Sequence, residues 1–305
     1  MKLPNFLIIG VQKAGTTSIY NYLKQHTQVY MSPIKETNFL STDTANNSPS
    51  QETTTTKYGR KKILTLEDYA ELFEGVTDEI AIGEISPNYL VNYPTVIKQI
   101  KHYIPDAKLI CILRNPIDRA YSDYLMHIRD AITTKSKSRT LSEQIKYSPH
   151  KSSILRKGFY YEQLKHFFAE FDQKQIRVYL YDDLCKEPVK FMQEIYDFIG
   201  VDHNFIPDTS KKAQVAEIPK NKLFNEILRT ENPLRVLSRN FLKIFLPLEA
   251  RQIIRNKLIK SNLTDKTQIP PLTTEEKKQL LELYREDISK LQDLIKRDLS
   301  AWLKI

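Results

Sequence analysis

Gly10-Val11-Gln12-Lys13-Ala14-Gly15-Thr16-Thr17-Ser18 follows the apolar run Phe6-Leu7-Ile8-Ile9 and leads into helically spaced residues at Ile19 to Leu23. A glycine-rich turn between a buried strand and a helix start offers an incoming anion several backbone N–H groups and the positive end of the helix. A triphosphate-binding P-loop has the form G-x-x-x-x-G-K-[ST], with lysine directly after the second glycine and a hydroxyl beside it for magnesium. Here Gly10 and Gly15 keep that spacing, Thr16 takes the lysine's place, and Lys13 sits inside the loop. The anion-binding physics survives. What changes is the group that the lysine meets and whether a metal is needed. Taken alone, such a turn also serves simply to reverse the chain, with Thr16, Thr17 and Ser18 capping a helix.

A second signal lies about a hundred residues on, in Leu109-Ile110-Cys111-Ile112-Leu113-Arg114-Asn115-Pro116-Ile117-Asp118-Arg119-Ala120-Tyr121-Ser122. A buried strand delivers Arg114 to its carboxyl end, and a helix starting at Pro116 or Ile117 carries Ser122 about two turns in. A metal-dependent nucleotide enzyme wants an acidic residue at such a strand end. Arginine instead offers a planar fork suited to bare phosphate, and a serine hydroxyl adds a hydrogen bond. A structural ion pair is the competing reading of Arg114 by itself.

The rest of the pattern fits an α/β fold, a P-loop-like central parallel sheet flanked by helices with a helical C-terminal region. Strands are expected at 6–9, 80–83, 109–113 and 176–181, and helices at 19–23, 66–73, 96–103, 117–128, 161–171 and 191–199. Ligands of such sheets bind beyond the carboxyl ends of the strands. Residues 1–305 read as one domain. Two polar stretches, 41–62 with its Thr53-Thr54-Thr55-Thr56 tract and 133–140, lack an apolar period and are expected to be mobile insertions. From 205 to 305 the chain turns mainly helical. Thr273 with Glu276 forms a capping-box pattern before the last long helix. Phe241 to Leu246 is short and apolar and reads as a buried helix rather than a membrane-surface contact.

A net charge of +9 favours an anionic ligand. The basic residues lack the interleaved aromatics of a single-strand nucleic-acid platform, so nucleic acid is not expected as a partner. No stretch approaches the roughly 18 apolar residues of a membrane span. The two cysteines, Cys111 and Cys185, read as free thiols and suggest a reducing, cytoplasmic setting. The oligomeric state is not legible.

The pairing of the Gly10–Ser18 loop with Leu113-Arg114-Asn115-Pro116 through Ser122 resembles the sulfotransferases that use 3′-phosphoadenosine 5′-phosphosulfate (PAPS) without a metal. Lys35-Glu36-Thr37-Asn38-Phe39 is similar to a K-E-x-x-F segment of the heparan-sulfate type. The resemblance continues through Gly83-Glu84-Ile85-Ser86-Pro87-Asn88-Tyr89, Gly158-Phe159-Tyr160 and Val178 to Leu184, and Leu280 to Trp302 matches the family's closing helix. It implies that Lys13, Ala14, Gly15, Thr16, Thr17 and Ser18 bind the phosphosulfate, with Lys13 at the bridging oxygen where charge builds up. Arg114 and Ser122 would bind the 3′-phosphate. Tyr160 would lie near the nucleotide, and Lys220, with Lys211 and Lys212, would close over the adenosine.

Glu36 takes the place of the general base that removes the acceptor hydroxyl's proton. Pairing with Lys35 is its ordinary alternative. His127 reads as a structural or acceptor-side residue. Ile85 stands where several heparan-type relatives have lysine, and Asn38 where histidine is frequent. The implied acceptor is a hydroxyl on an oligo- or polysaccharide, with lipid-linked and small-molecule hydroxyls left open. A P-loop kinase or nucleoside triphosphatase and a non-catalytic nucleotide-binding protein are the rival functions.

Overall fold

The computed structural model describes residues 1–42, 62–134, 140–147, 149–210 and 271–305. Five parallel strands form one sheet in the order β2-β3-β1-β4-β5, with β1 Phe6–Gly10, β2 Val29–Met31, β3 Ala81–Ile85, β4 Lys108–Leu113 and β5 Ile176–Leu180. All of β1 is buried, and so is β4 beyond Lys108. That is the expected condition of inner parallel strands, which read as continuous apolar runs because both faces are covered. β2 escapes the sequence pattern because three residues, Val29-Tyr30-Met31, are too short to show a period.

The helices are α1 Thr16–Leu23, α2 Leu66–Glu71, α3 Tyr93–Tyr103, α4 Pro116–Thr134, α5 Leu141–Tyr147, α6 Tyr160–Glu170, α7 Tyr181–Lys186, α8 Pro188–Ile199 and α9 Thr274–Ile295. Tyr181, expected to close a strand, instead opens α7. The helix after Arg114 runs on to Thr134, into the stretch expected to be a mobile insertion. Residues 135–139 and most of the 41–62 insertion lie outside the described residues, as do Lys211, Lys212, Lys220 and Phe241–Leu246. Among the described residues beyond 205, the helical expectation is met by α9 and a 3-10 turn at Ser300–Leu303. Thr273 caps α9 as expected: its hydroxyl accepts from the Glu276 N–H at 3.1 Å and the Glu276 carboxylate accepts from the Thr273 N–H at 3.0 Å.

α9 fixes the site from a distance. Its buried Asp287 accepts from the Tyr161 and Glu162 N–H groups at 3.1 and 3.4 Å, satisfying donors that the start of α6 leaves open. Its Tyr284 donates to Leu155 O at 2.8 Å and lies flat against Gly158. A Cβ at Gly158 would stand 2.7 Å from the Tyr284 ring. The Gly158-Phe159-Tyr160 segment therefore owes its glycine to helix packing. Gly158→Ala should lower stability by about 1–3 kcal/mol through overpacking, as read from the urea midpoint at unchanged m value.

Candidate functional site

The donor loop hangs between β1 and α1. Val11 N–H donates to Ile112 O at 2.9 Å, so the loop leaves the sheet in step with β4. Lys13 (φ 74°) and Gly15 (φ 78°) both take the left-handed conformation. Gly15 is required twice over, because a Cβ there would also meet Leu184 Cδ2 at 2.7 Å and Tyr181 Cε2 at 3.0 Å. No side chain caps α1 at Gly15, which leaves the helix start available to an anion. The loop thus has the backbone economy of a phosphate cradle.

Arg114 emerges from the end of β4, as expected. Its Nη1 donates to Lys13 O at 3.0 Å, and its guanidinium lies over the Tyr181 ring, 5.0 Å from the centroid. Those two contacts hold the second anion-binding side chain against the first loop. Asn115 Oδ1 accepts from Ile117 N–H at 2.9 Å and so starts α4, which carries the half-buried Ser122. Met126, one turn beyond Ser122, places its sulfur 3.8 Å from Lys13 Nζ. The structure therefore gathers Lys13, Arg114 and α4 at the carboxyl ends of β1 and β4, where a parallel sheet binds its ligands.

Tyr160, the residue expected near the nucleotide, reaches Arg114 from behind. It has no exposed surface, and its hydroxyl donates to Arg114 O at 2.8 Å. It stands behind the arginine and braces the strand end. Lys220 lies outside the described residues.

A buried polar network, not legible in the sequence, underpins the loop. Arg119 and Asp123, both fully buried, pair at 3.1 Å on α4, and Arg119 also donates to Ile154 O. Lys157 bridges Asp123 at 3.2 Å to the donor-loop residue Gln12 at 2.6 Å. Burial pulls the Lys157 ammonium below its usual range, opposed by Asp123. His127 Nε2 lies 3.8 Å from Asp123 Oδ1, which places the histidine beside this network. Arg119→Leu leaves Asp123 buried without its main partner, and a loss of about 3–5 kcal/mol is expected in urea unfolding.

The Glu36 turn borders β3. Glu36 N–H donates to Ile85 O at 2.8 Å, and both Glu36 (φ 64°) and Asn38 (φ 54°) are left-handed. Such conformations cost about 1–3 kcal/mol each and gather at functional sites. The Glu36 carboxylate pairs with Lys35 at 2.7 Å, the ordinary alternative weighed above. The pair is partly exposed, and pairs of that kind are worth about 0–1 kcal/mol.

Behind the turn lies Glu84, at 0% exposure, its Oε1 accepting from Ser86 and Thr37 hydroxyls at 2.5 and 3.1 Å. Burial raises its carboxyl to about 7, against the hydrogen bonds that favour the anion. Sequence reading passed over it; an acid ending a buried parallel strand was the signal. Asp287 is raised to about 6 by the same cause. Both acids hold protons in the folded chain that the unfolded chain releases. Their contribution is therefore complete below the ordinary carboxylate range and is lost as pH rises through about 6 to 7. The melting temperature should fall between pH 5 and 8, with a shallower fall in Glu84→Gln.

A family model described as "Sulfotransferase family" matches residues 4–205. The chain belongs to that family. It is similar to the bifunctional heparan sulfate N-deacetylase/N-sulfotransferase 1 of Caenorhabditis briggsae, 30% identical over 216 residues, which cover 65% of this chain and 23% of that protein. It is also similar to the membrane-associated sulfotransferase kil1 of Dictyostelium discoideum, 22% identical over 78% of this chain and 66% of the relative. The crystal structure of a sulfotransferase from Alicyclobacillus acidocaldarius superposes with a TM-score of 0.69 at 26% identity, covering 100% of both chains. The chain spans under a quarter of the length of the nematode relative. The chain is a sulfotransferase on a P-loop-like α/β fold, resembling the heparan-sulfate type. Among the described residues, no helix is long and apolar enough to cross a membrane.

Proposed function

We propose that this sulfotransferase, acting as one domain over residues 1–305, transfers the sulfuryl group of PAPS to a carbohydrate hydroxyl, with Glu36 as general base. The observation that carries the donor assignment is the Arg114 guanidinium held against the carbonyl of Lys13. It sets a phosphate-binding fork beside a lysine-bearing anion loop at one end of the sheet. PAPS presents a phosphosulfate to the first and a 3′-phosphate to the second. The empty helix cap at Gly15 and the lysine inside the loop fit a donor whose terminal group is a sulfate, and Lys13 would meet the charge that develops as the sulfur–oxygen bond breaks.

Ser122, two turns into α4, would share the 3′-phosphate with Arg114. Glu36 lies on a turn tied to β3, the strand beside β1, and this position supports an acceptor-side role for it. Its exchangeable bond to Lys35 leaves a carboxylate able to take a proton from an alcohol. Carbohydrate is the favoured acceptor class because relatives named as heparan sulfate N-sulfotransferases match this chain. Ile85 and Asn38 in the adjoining segments argue for an acceptor other than heparan itself.

Transfer of label from radiolabelled PAPS to desulfated polysaccharides, but not to phenols or lipid-linked alcohols, is the expected result of an acceptor screen; label found only on phenols would overturn the carbohydrate assignment. Arg114→Ala should weaken adenosine 3′,5′-bisphosphate binding by one to two decades, since a charge-assisted contact is worth about 1.5–3 kcal/mol. Unchanged affinity by calorimetry would remove the 3′-phosphate assignment. Glu36→Gln should bind the same nucleotide normally and lose transfer.

A further inference from the structure

The backbone of residues 38–40 is held by three hydroxyl groups. Asn38 N–H donates to Ser86 Oγ at 3.0 Å, Phe39 N–H to Thr37 Oγ1 at 3.3 Å and Leu40 N–H to the Tyr89 hydroxyl at 3.3 Å. These are the donors that open the 3-10 turn Phe39–Ser41, whose cap residue Asn38 supplies no side-chain bond to it. A hydroxyl that accepts such a bond still has its own proton to place. Ser86 and Thr37 both place theirs on Glu84 Oε1, and the Tyr89 hydroxyl lies 3.3 Å from Thr37 Oγ1.

The bonds therefore run one way, from backbone amides through hydroxyls to a single carboxyl oxygen, an order in which each bond polarises the next. Glu84 Oε2 is buried without a hydrogen-bond partner. An unpartnered buried carboxyl oxygen is costly and calls for a reason. Packing alone would be served by an apolar side chain at the end of β3. What an apolar side chain could not do is orient three hydroxyls toward the turn.

We propose that Glu84 is the positioning residue of the Glu36 turn: by accepting the Ser86 and Thr37 protons it fixes the backbone of residues 36–40, and with it the place of the Glu36 carboxylate. The assignment rests on the reading of Glu36 as base. Glu84 touches neither donor nor acceptor, and it acts only through the turn. The two left-handed residues Glu36 and Asn38 bracket Thr37, so the turn is held where it is most prone to relax. The sheet end supplies the rigidity, since Glu36 N–H also bonds to Ile85 O, one residue beyond Glu84.

The test uses the full chain, with PAPS as probe and single-turnover transfer of labelled sulfuryl to water as the measured rate, so that no acceptor need be assigned. Glu84→Gln and Thr37→Val should each lower that rate by about tenfold to a hundredfold, the scale of a misplaced catalytic group. Adenosine 3′,5′-bisphosphate affinity should stay within about twofold of the parent, because the turn is not part of the anion loop. Thr37→Ser, which keeps the hydroxyl, should recover the rate. Thr37 lies on the turn rather than in the core, so its variants read the proposal even if Glu84→Gln folds poorly. Wild-type rates in Glu84→Gln and Thr37→Val alongside an inactive Glu36→Gln would overturn the positioning role alone. An active Glu36→Gln would overturn the base reading, and a loss of rate and nucleotide affinity in parallel would mark Glu84 as a general support of the fold.

Discussion

The register of β1 on β4 is the constraint on which the site depends. Gly10 lies opposite Cys111 at the point where the ladder shifts, and Val11 N–H reaches Ile112 O at 2.9 Å. A Cβ at Gly10 would stand 3.1 Å from Leu90 and 3.2 Å from the Cys111 sulfur, so glycine suits the packing at this point of the ladder. The shared ladder brings the Lys13 carbonyl within reach of Arg114. Tyr160 from behind and Tyr181 from the side then hold the arginine in place. Two loops about a hundred residues apart in sequence meet because two buried strands share a ladder.

The Gly10–Ser18 loop and the placing of Arg114 at the end of β4 were legible in the sequence because their signals are local. A glycine at a fixed offset from a strand, a lysine between two glycines and an arginine at the end of an apolar run can each be read in place, and their order along the chain joined them. The parallel sheet was legible for the same reason, through continuous apolar runs at 6–9 and 109–113. What was not legible depends on partners far away in sequence. Besides its neighbour Ser86, Glu84 differs from a surface glutamate through the distant Thr37 and the burial it shares with Tyr69 and Tyr89. Tyr160 and Gly158 carried a motif, but their roles are set by Arg114 and by Tyr284 of α9. Tyr181 was read into β5 because an aromatic residue after Val178-Tyr179-Leu180 continues a strand pattern. Only the packing of its ring under Arg114 and beside Gly15 explains why the chain turns there.

Charge is handled by opposite means at the two edges of the site. On the donor side, fully buried Arg119 and Asp123 form a pair whose cost is offset by Lys157, Gln12 and the Ile154 carbonyl. On the acceptor side a single carboxyl is buried among hydroxyls, and burial raises its proton affinity. The first arrangement carries two cations against one carboxylate, a balance that favours an anionic ligand nearby. The second carries less negative charge than a surface glutamate, because burial raises the Glu84 carboxyl to about 7.

The bonds that brace the donor loop, from Gln12 through Lys157 to Asp123 and Arg119, and those that brace the Glu36 turn, from Asn38 and Leu40 through Ser86, Thr37 and Tyr89 to Glu84, have no side chain in common. The two loops are thus braced by separate sets of side chains, although β1 and β3 share a ladder. Substitutions in the Glu36 turn can accumulate without disturbing the bonds that brace the Gly10–Ser18 loop. On such a scaffold one loop can be reshaped while the other keeps its form.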